Sequence, residues 1–233
     1  MPPISWLMKH VVILLLLLAT GLMPALAGPP DDFQYRSRID LRWLNTDHFT
    51  LNTFAEVRLT DSASRLTNYR VSQQAQYHPW RELTVGVGYA FIDQDGLDPI
   101  TQKISHAQAH RAEFDFIPHI KLSDDVTLNW RARFENRWIE HRGSYNPQFR
   151  TRPELVFALH HAGPLKEIFA SEEYFYDLRT GRSAENRLVP AGLTFALTDH
   201  TRLKVYYLLD SVHSGPDWVS VHVLQTQLQI SFR

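Results

Sequence analysis

The sequence predicts an all-β protein, a single antiparallel transmembrane β-barrel of outer-membrane type with roughly 10–12 strands. Three observations carry that expectation. Apolar and polar residues alternate with period two through most of the chain after residue 28. No later stretch reaches the roughly 18 consecutive apolar residues that a membrane-spanning helix needs. The chain closes on Leu228-x-Ile230-x-Phe232-Arg233, with Gln225, Gln227, Gln229 and Ser231 on the alternate face, the form of the C-terminal signal that outer-membrane assembly machinery reads.

Composition narrows the classes further. The 233 residues include 24 Lys plus Arg against 25 Asp plus Glu, and no cysteine. A disulfide scaffold and a thiolate metal site are thereby excluded, and a near-neutral chain is a poor nucleic-acid binder.

The first segment reads as a secretory signal. Lys9 precedes an apolar run over 11–19, and Ala25 and Ala27 supply the small-x-small site, with cleavage after Ala27. A membrane anchor would need a longer unbroken run, and Gly21 and Pro24 interrupt this one. The expected organisation is a signal peptide over 1–27 and one barrel domain over 28–233, exported to the outer membrane.

Each strand then follows from its alternation. Phe33, Tyr35, Ile39, Leu41 and Trp43 alternate with Gln34, Arg36, Arg38, Asp40 and Arg42, up to a tight turn at 45–48. Leu51, Thr53, Ala55, Val57 and Leu59 then stand against Asn52, Phe54, Glu56 and Arg58. Leu83, Val85, Val87, Tyr89 and Phe91 stand against Thr84, Gly86, Gly88 and Ala90. Leu128, Trp130, Ala132 and Phe134 face Asn129, Arg131, Arg133 and Glu135, and Leu203, Val205, Tyr207 and Leu209 face Arg202, Lys204 and Tyr206. Breaks at 45–48, 61–64, 79–81, 93–103, 123–125, 143–145, 162–165, 179–182, 198–200 and 210–217 leave eleven segments. Bacterial barrels usually have an even number, so ten to twelve is the expectation. The alternate breaks starting at 45–48 read as periplasmic, and those starting at 61–64 as external.

Alternation alone does not say which face meets lipid, because a soluble barrel or sandwich buries its apolar face and an outer-membrane barrel exposes it. The polar face is unusually charged. Arg111, Glu113 and Asp115 lie on one strand, Arg131, Arg133, Glu135 and Arg137 on the next, and Arg150, Arg152 and Glu154 on the third. Carboxylates and guanidiniums at i and i+2 on consecutive hairpins can interlock across a confined lumen. Aromatic residues gather near strand ends, with Trp43, Tyr77, Trp80 and Trp130 by one set of turns and Tyr69, Phe91, Trp138, Tyr176 and Trp218 by the other, as two interfacial girdles would.

The ordered series His110-Arg111-Ala112-Glu113, Arg131-Ala132-Arg133-Phe134-Glu135-Asn136-Arg137, Arg150-Thr151-Arg152-Pro153-Glu154, Glu172-Glu173-Tyr174-Phe175 and Asn186-Arg187-Leu188 resembles the bacterial outer-membrane β-barrel family called domain of unknown function 2490. The resemblance covers nearly all of the chain after the signal. It implies an outer-membrane barrel, and no particular reaction or ligand.

Catalytic signatures are sparse. No G-x-S-x-G elbow or His-x-x-Glu-His spacing occurs; His106 and His110 share a face with Gln108 rather than Glu113, and His160-His161 points to opposite faces. Asp93, Asp95 and Gly96 match the middle of a calcium loop, but Phe91 and Gln102 stand where its first and last ligands belong. The sequence therefore predicts no cofactor, no metal site and no enzyme activity. Its expected partners are outer-membrane lipid and lipopolysaccharide, the assembly machinery and a solute of unspecified kind. The charged lumen has two readings, a paired filling of a narrow bore and a constriction selecting charged solutes. A lipid-modifying outer-membrane enzyme and a soluble periplasmic binding barrel are the alternatives.

Overall fold

The computed structural model describes residues 33–97, 104–140, 144–214 and 217–232. The signal segment with Ala25 and Ala27 lies outside the described residues. Twelve strands are present among the described residues: β1 (Phe33–Asn45), β2 (Phe49–Thr60), β3 (Arg65–Trp80), β4 (Leu83–Leu97), β5 (Ile104–Lys121), β6 (Val126–Ile139), β7 (Ser144–Tyr145), β8 (Gln148–Ala158), β9 (Leu165–Asp177), β10 (Arg182–Ala196), β11 (Thr201–Ser214) and β12 (Asp217–Ser231).

Eleven of these form the wall of a closed barrel. β7 is two residues long and pairs only with the end of β6, at Trp138 and Ile139. Successive wall strands are antiparallel, and β1 closes against β12 in parallel, from Phe33 opposite His222 to Arg42 opposite Ser231. Strands that alternate up and down bring first and last side by side in the same direction only when their number is odd. The wall thus keeps all eleven sequence segments, and the even-number rule gives way to a parallel seam. Closure leaves no unpaired edge.

Two connections are shorter than the composition suggested. β4 continues to Leu97, with Asp93, Gln94 and Asp95 opposite Gln108, Ala107 and His106, and β11 continues to Ser214 opposite Asp217. Polar residues extend these strands because each partner strand still supplies ladder hydrogen bonds. Asp93 and Asp95 consequently lie on one face of a strand, and the partial calcium-loop pattern is not a loop there. Asp98 lies outside the described residues.

The lower rim carries connections 46–48, 81–82, 122–125, 159–164 and 197–200 together with Phe232. The upper rim carries the others and Phe33. Between them the two faces differ in kind. Ile39, Leu51, Val57, Val71, Val87, Phe114, Phe134, Ile168 and Leu193 are exposed on the outer face, whereas Arg36, Asp40, Glu56, Arg70, Glu113, Arg133, Glu135, Arg150, Glu173 and Asp210 are buried within. A soluble barrel distributes its residues the other way round. No described helix is long and apolar enough to cross a membrane.

A small apolar cluster, Phe169, Val189, Leu208 and Val223, fills the bore on the β9 to β12 side. The register of β10 shifts between Leu188 and Ala191, where Pro190 cannot donate to a ladder. This bulge turns Val189 toward Leu208 and sets Gly192 opposite Phe169, whose ring occupies the space a Cβ would take.

Candidate functional site

The inward face of β5, β6 and β8 places like charges directly across from one another. Arg111 is opposite Arg137, Glu113 opposite Glu135, Arg133 opposite Arg150 and Arg131 opposite Arg152. Like pairs at such positions repel. The attraction is mostly diagonal, between one position and its i±2 neighbour on the next strand, while Asp115 and Arg133 pair directly across.

Those diagonals make one continuous lattice. Glu135 accepts from Arg150 at 2.5 Å, Arg137 at 2.9 Å and Arg111 at 3.2 Å, and its side chain has no solvent exposure. Glu113, equally enclosed, meets Arg133 at 2.7 Å, Arg70, and the Gln74 amide at 3.1 Å. Arg133 grips Asp115 with two bonds of 2.6 Å, the fork geometry that guanidinium and carboxylate share. Arg150 also reaches Glu173 at 2.9 Å, and Arg131 donates to the same carboxylate. Of the charged residues that the sequence singled out, Arg111, Glu113, Arg131, Arg133, Glu135, Arg137 and Arg150 join this lattice. Arg152 and Glu154 do not; they lie 3.8 Å apart as a looser pair below it.

Sequence reasoning missed much of the remainder. Arg36 and Arg187 converge on Asp210, and Arg187 also meets Glu185 at 2.5 Å. Arg38 binds Asp40, which accepts from Gln227 across the parallel seam at 2.7 Å. Arg58 meets Glu56 at 2.8 Å. Two buried aromatic rings link these islands. Phe54 lies under Arg38 at 3.7 Å and Arg70 at 4.8 Å, and Phe175 lies under Arg150 at 4.1 Å and Arg187 at 4.7 Å. Each ring presents its negative face to two guanidiniums. The available signal was an aromatic residue standing in the polar register, as Phe54 does between Asn52 and Glu56.

A cavity of about 270 Å³ lies beneath the lattice. Arg36, Arg38, Arg42, Arg58, Arg70, Arg131, Arg133, Arg150, Arg152, Arg187 and Lys204 line it, against the carboxylates Asp40, Glu56, Asp115, Glu154 and Glu173. Arg111, Glu113, Glu135 and Arg137 do not line it; they stand nearer the upper rim than Asp115 and Arg133 on the same strands. A second hollow, at the lower rim, shares Arg42 and Gln229 with this cavity and is bordered by Arg202, His200 and Phe232. The described bore is thus polar and hollow on its lower side, with the ion pairs of Glu113 and Glu135 nearer the upper rim.

Histidines that attracted no attention in the sequence build a belt near the lower rim. Thr50 bonds His78 at 3.0 Å, His78 bonds Thr84 at 2.8 Å, Thr84 bonds His119 at 2.8 Å, and His119 bonds Asn129 at 2.8 Å, crossing five strands. His106 lies on the outer face beside Asp95 at 3.0 Å and Asp93 at 3.3 Å, and His160 pairs with Asp125 at 2.9 Å. Lys121 donates to Asp124 in the turn below at 2.9 Å, and this bond holds the Asp124 carboxyl below its ordinary pKa. At the C-terminus Leu228 and Ile230 sit opposite Ile39 and Leu41 of β1, and the Phe232 ring stacks on Trp43 at 4.9 Å. On the other face of β9 from Glu173, Glu172 is buried and accepts from Asn186 at 3.0 Å.

An odd-stranded, closed barrel, apolar outside and ion-paired inside, is the class of protein that this fold and bore define. The chain belongs to the family described as protein of unknown function DUF2490, whose model matches residues 43–220. No curated protein matches it.

Proposed function

We propose that this chain is an integral outer-membrane β-barrel, closed toward the exterior by its ion-pair lattice and hollow toward the periplasm. The observation that carries the reading is the inversion of its faces. Exposed Val71, Val87, Phe114 and Ile168 suit hydrocarbon, while the opposite face holds guanidiniums and carboxylates that need each other. The end bearing Phe232 reads as periplasmic, as expected for a terminal strand with an assembly signal, and the outer belt meets lipid and lipopolysaccharide.

An eleven-stranded bore lies between the eight-stranded barrels that side chains just fill and the 16-stranded porins with open channels. Long paired side chains span the difference here, which favours a structural, non-conducting barrel over a solute channel. The reading assigns no catalytic step and no cofactor to the chain.

Fractionation on a sucrose gradient, with electrophoresis of boiled and unboiled detergent extracts, tests the placement. The chain is expected in the outer-membrane fraction with heat-modifiable mobility, and planar bilayers holding it should show no steady current. Recovery in the soluble periplasm would overturn the reading.

A further inference from the structure

We propose that the cavity beneath the lattice binds a small, multiply charged oxyanion, carrying phosphate or several carboxylates, that enters through the lower mouth. The inference rests on the reading of a bore closed above and hollow below.

Charge is the first ground. The cavity wall holds eleven cationic side chains against five carboxylates. Five of the eleven, Arg36, Arg70, Arg133, Arg150 and Arg187, also meet four carboxylates that do not line the cavity, Glu113, Glu135, Glu185 and Asp210, so the excess is smaller than the wall alone suggests. The uncompensated charge collects on the lower side. Arg42 and Lys204 have no carboxylate within 4 Å among the described residues, and Arg152 has only Glu154, at 3.8 Å. Lys204 instead rests over the Phe169 ring, 5.0 Å from its centre.

Donor geometry is the second ground. Arg42, Arg131 and Arg152 line the cavity together. A guanidinium offers paired N–H groups in a plane, the arrangement that phosphate and carboxylate oxygens accept bidentately. Gln229 joins the cavity to the mouth and adds an amide.

Size is the third. At about 270 Å³ the cavity is near the lower end of ligand sites, roughly 300 to 1,000 Å³, which fits a compact anion rather than a lipid or an oligosaccharide.

Calorimetric titration of the folded barrel in detergent, in chloride buffer of low ionic strength, with inorganic phosphate and with citrate provides the test. Saturable binding of at least one of them is expected. It should weaken at least tenfold in Lys204→Gln and in Arg152→Gln, and stay unchanged in Arg179→Gln, which alters an exposed charge on the upper rim. Heat-modified mobility shows whether each variant has folded. If a lumen variant fails to fold, the wild-type protein alone decides: the bound anion should raise its thermal midpoint above that in chloride of equal ionic strength. Absence of saturable binding by both anions, or equal weakening by Arg179→Gln, would overturn the inference. A membrane-located, heat-modifiable barrel that binds neither anion removes this inference alone, whereas a soluble chain removes the proposed function whatever it binds.

Discussion

Glu135 shows how a side chain can be indispensable without touching any ligand. It is fully enclosed, and Arg111, Arg137 and Arg150 all point their guanidiniums at it. Taking these ions out of water costs several kcal/mol each, and only complete pairing offsets the penalty. Glu135→Gln leaves three cations facing a neutral amide, and is expected to lower stability by about 3–5 kcal/mol, read from urea midpoints in detergent. The best compensating site is Arg137, whose described ion pair is with Glu135 alone, whereas Arg150 also serves Glu173 and Arg133 serves Glu113 and Asp115. Arg137→Met added to Glu135→Gln should recover part of the loss. Strictly additive midpoints would reduce the lattice to separate surface charges. The same residues show why the pairing was only half legible in the sequence: charges at i and i+2 reveal a shared face, but the register that sets Arg111 against Arg137 and Asp115 against Arg133 is absent from the spacing.

At the scale of elements, β9 and β10 carry the tightest constraint. Gly192 lies directly opposite Phe169, and the aromatic ring covers the glycine across the ladder. A methyl group at 192 would overlap that ring and push it into Val189 and Leu208. Overpacking of this kind costs about 1–3 kcal/mol, so Gly192→Ala should shift the urea midpoint downward, and Phe169→Leu in the same chain should return part of it. A midpoint equal to that of the parent would show that the ring moves freely. The bulge at Pro190 makes the arrangement possible, because one extra residue there lets Val189 and Gly192 both face inward. The breaks at 179–182 and 198–200 predict a strand where β10 lies, but a bulge shifts the phase of everything beyond it.

For the molecule as a whole, the seam is the feature on which closure depends. β1 and β12 meet in parallel, a pairing slightly weaker per residue than an antiparallel one. It is reinforced where it ends: Phe232 stacks on Trp43, its backbone N–H donates to Arg42 at 2.9 Å, and Gln227 reaches Asp40 across the strands. Removing Phe232 and Arg233 should therefore slow assembly and reduce the level of folded barrel in membranes, measured by the heat-modifiable band over time after induction. Unchanged levels would argue that closure is secured by the ladder alone.

The sequence by itself determined that the chain is all β, that its strands number ten to twelve, and that one face is apolar and the other charged. Period-two alternation and turn residues are local properties, carried by neighbours such as Leu128 to Glu135, and need no knowledge of what lies across the barrel. Tertiary structure alone decided that eleven strands close through a parallel seam, that like charges such as Glu113 and Glu135 face each other and find their partners mostly on the diagonal, that Phe54 and Phe175 join separate ion-pair islands, and that a polar cavity lies among them. These depend on register and closure, which bring together residues as distant as Arg36 and Asp210, and no local pattern records a distance between strands that meet only when the barrel shuts.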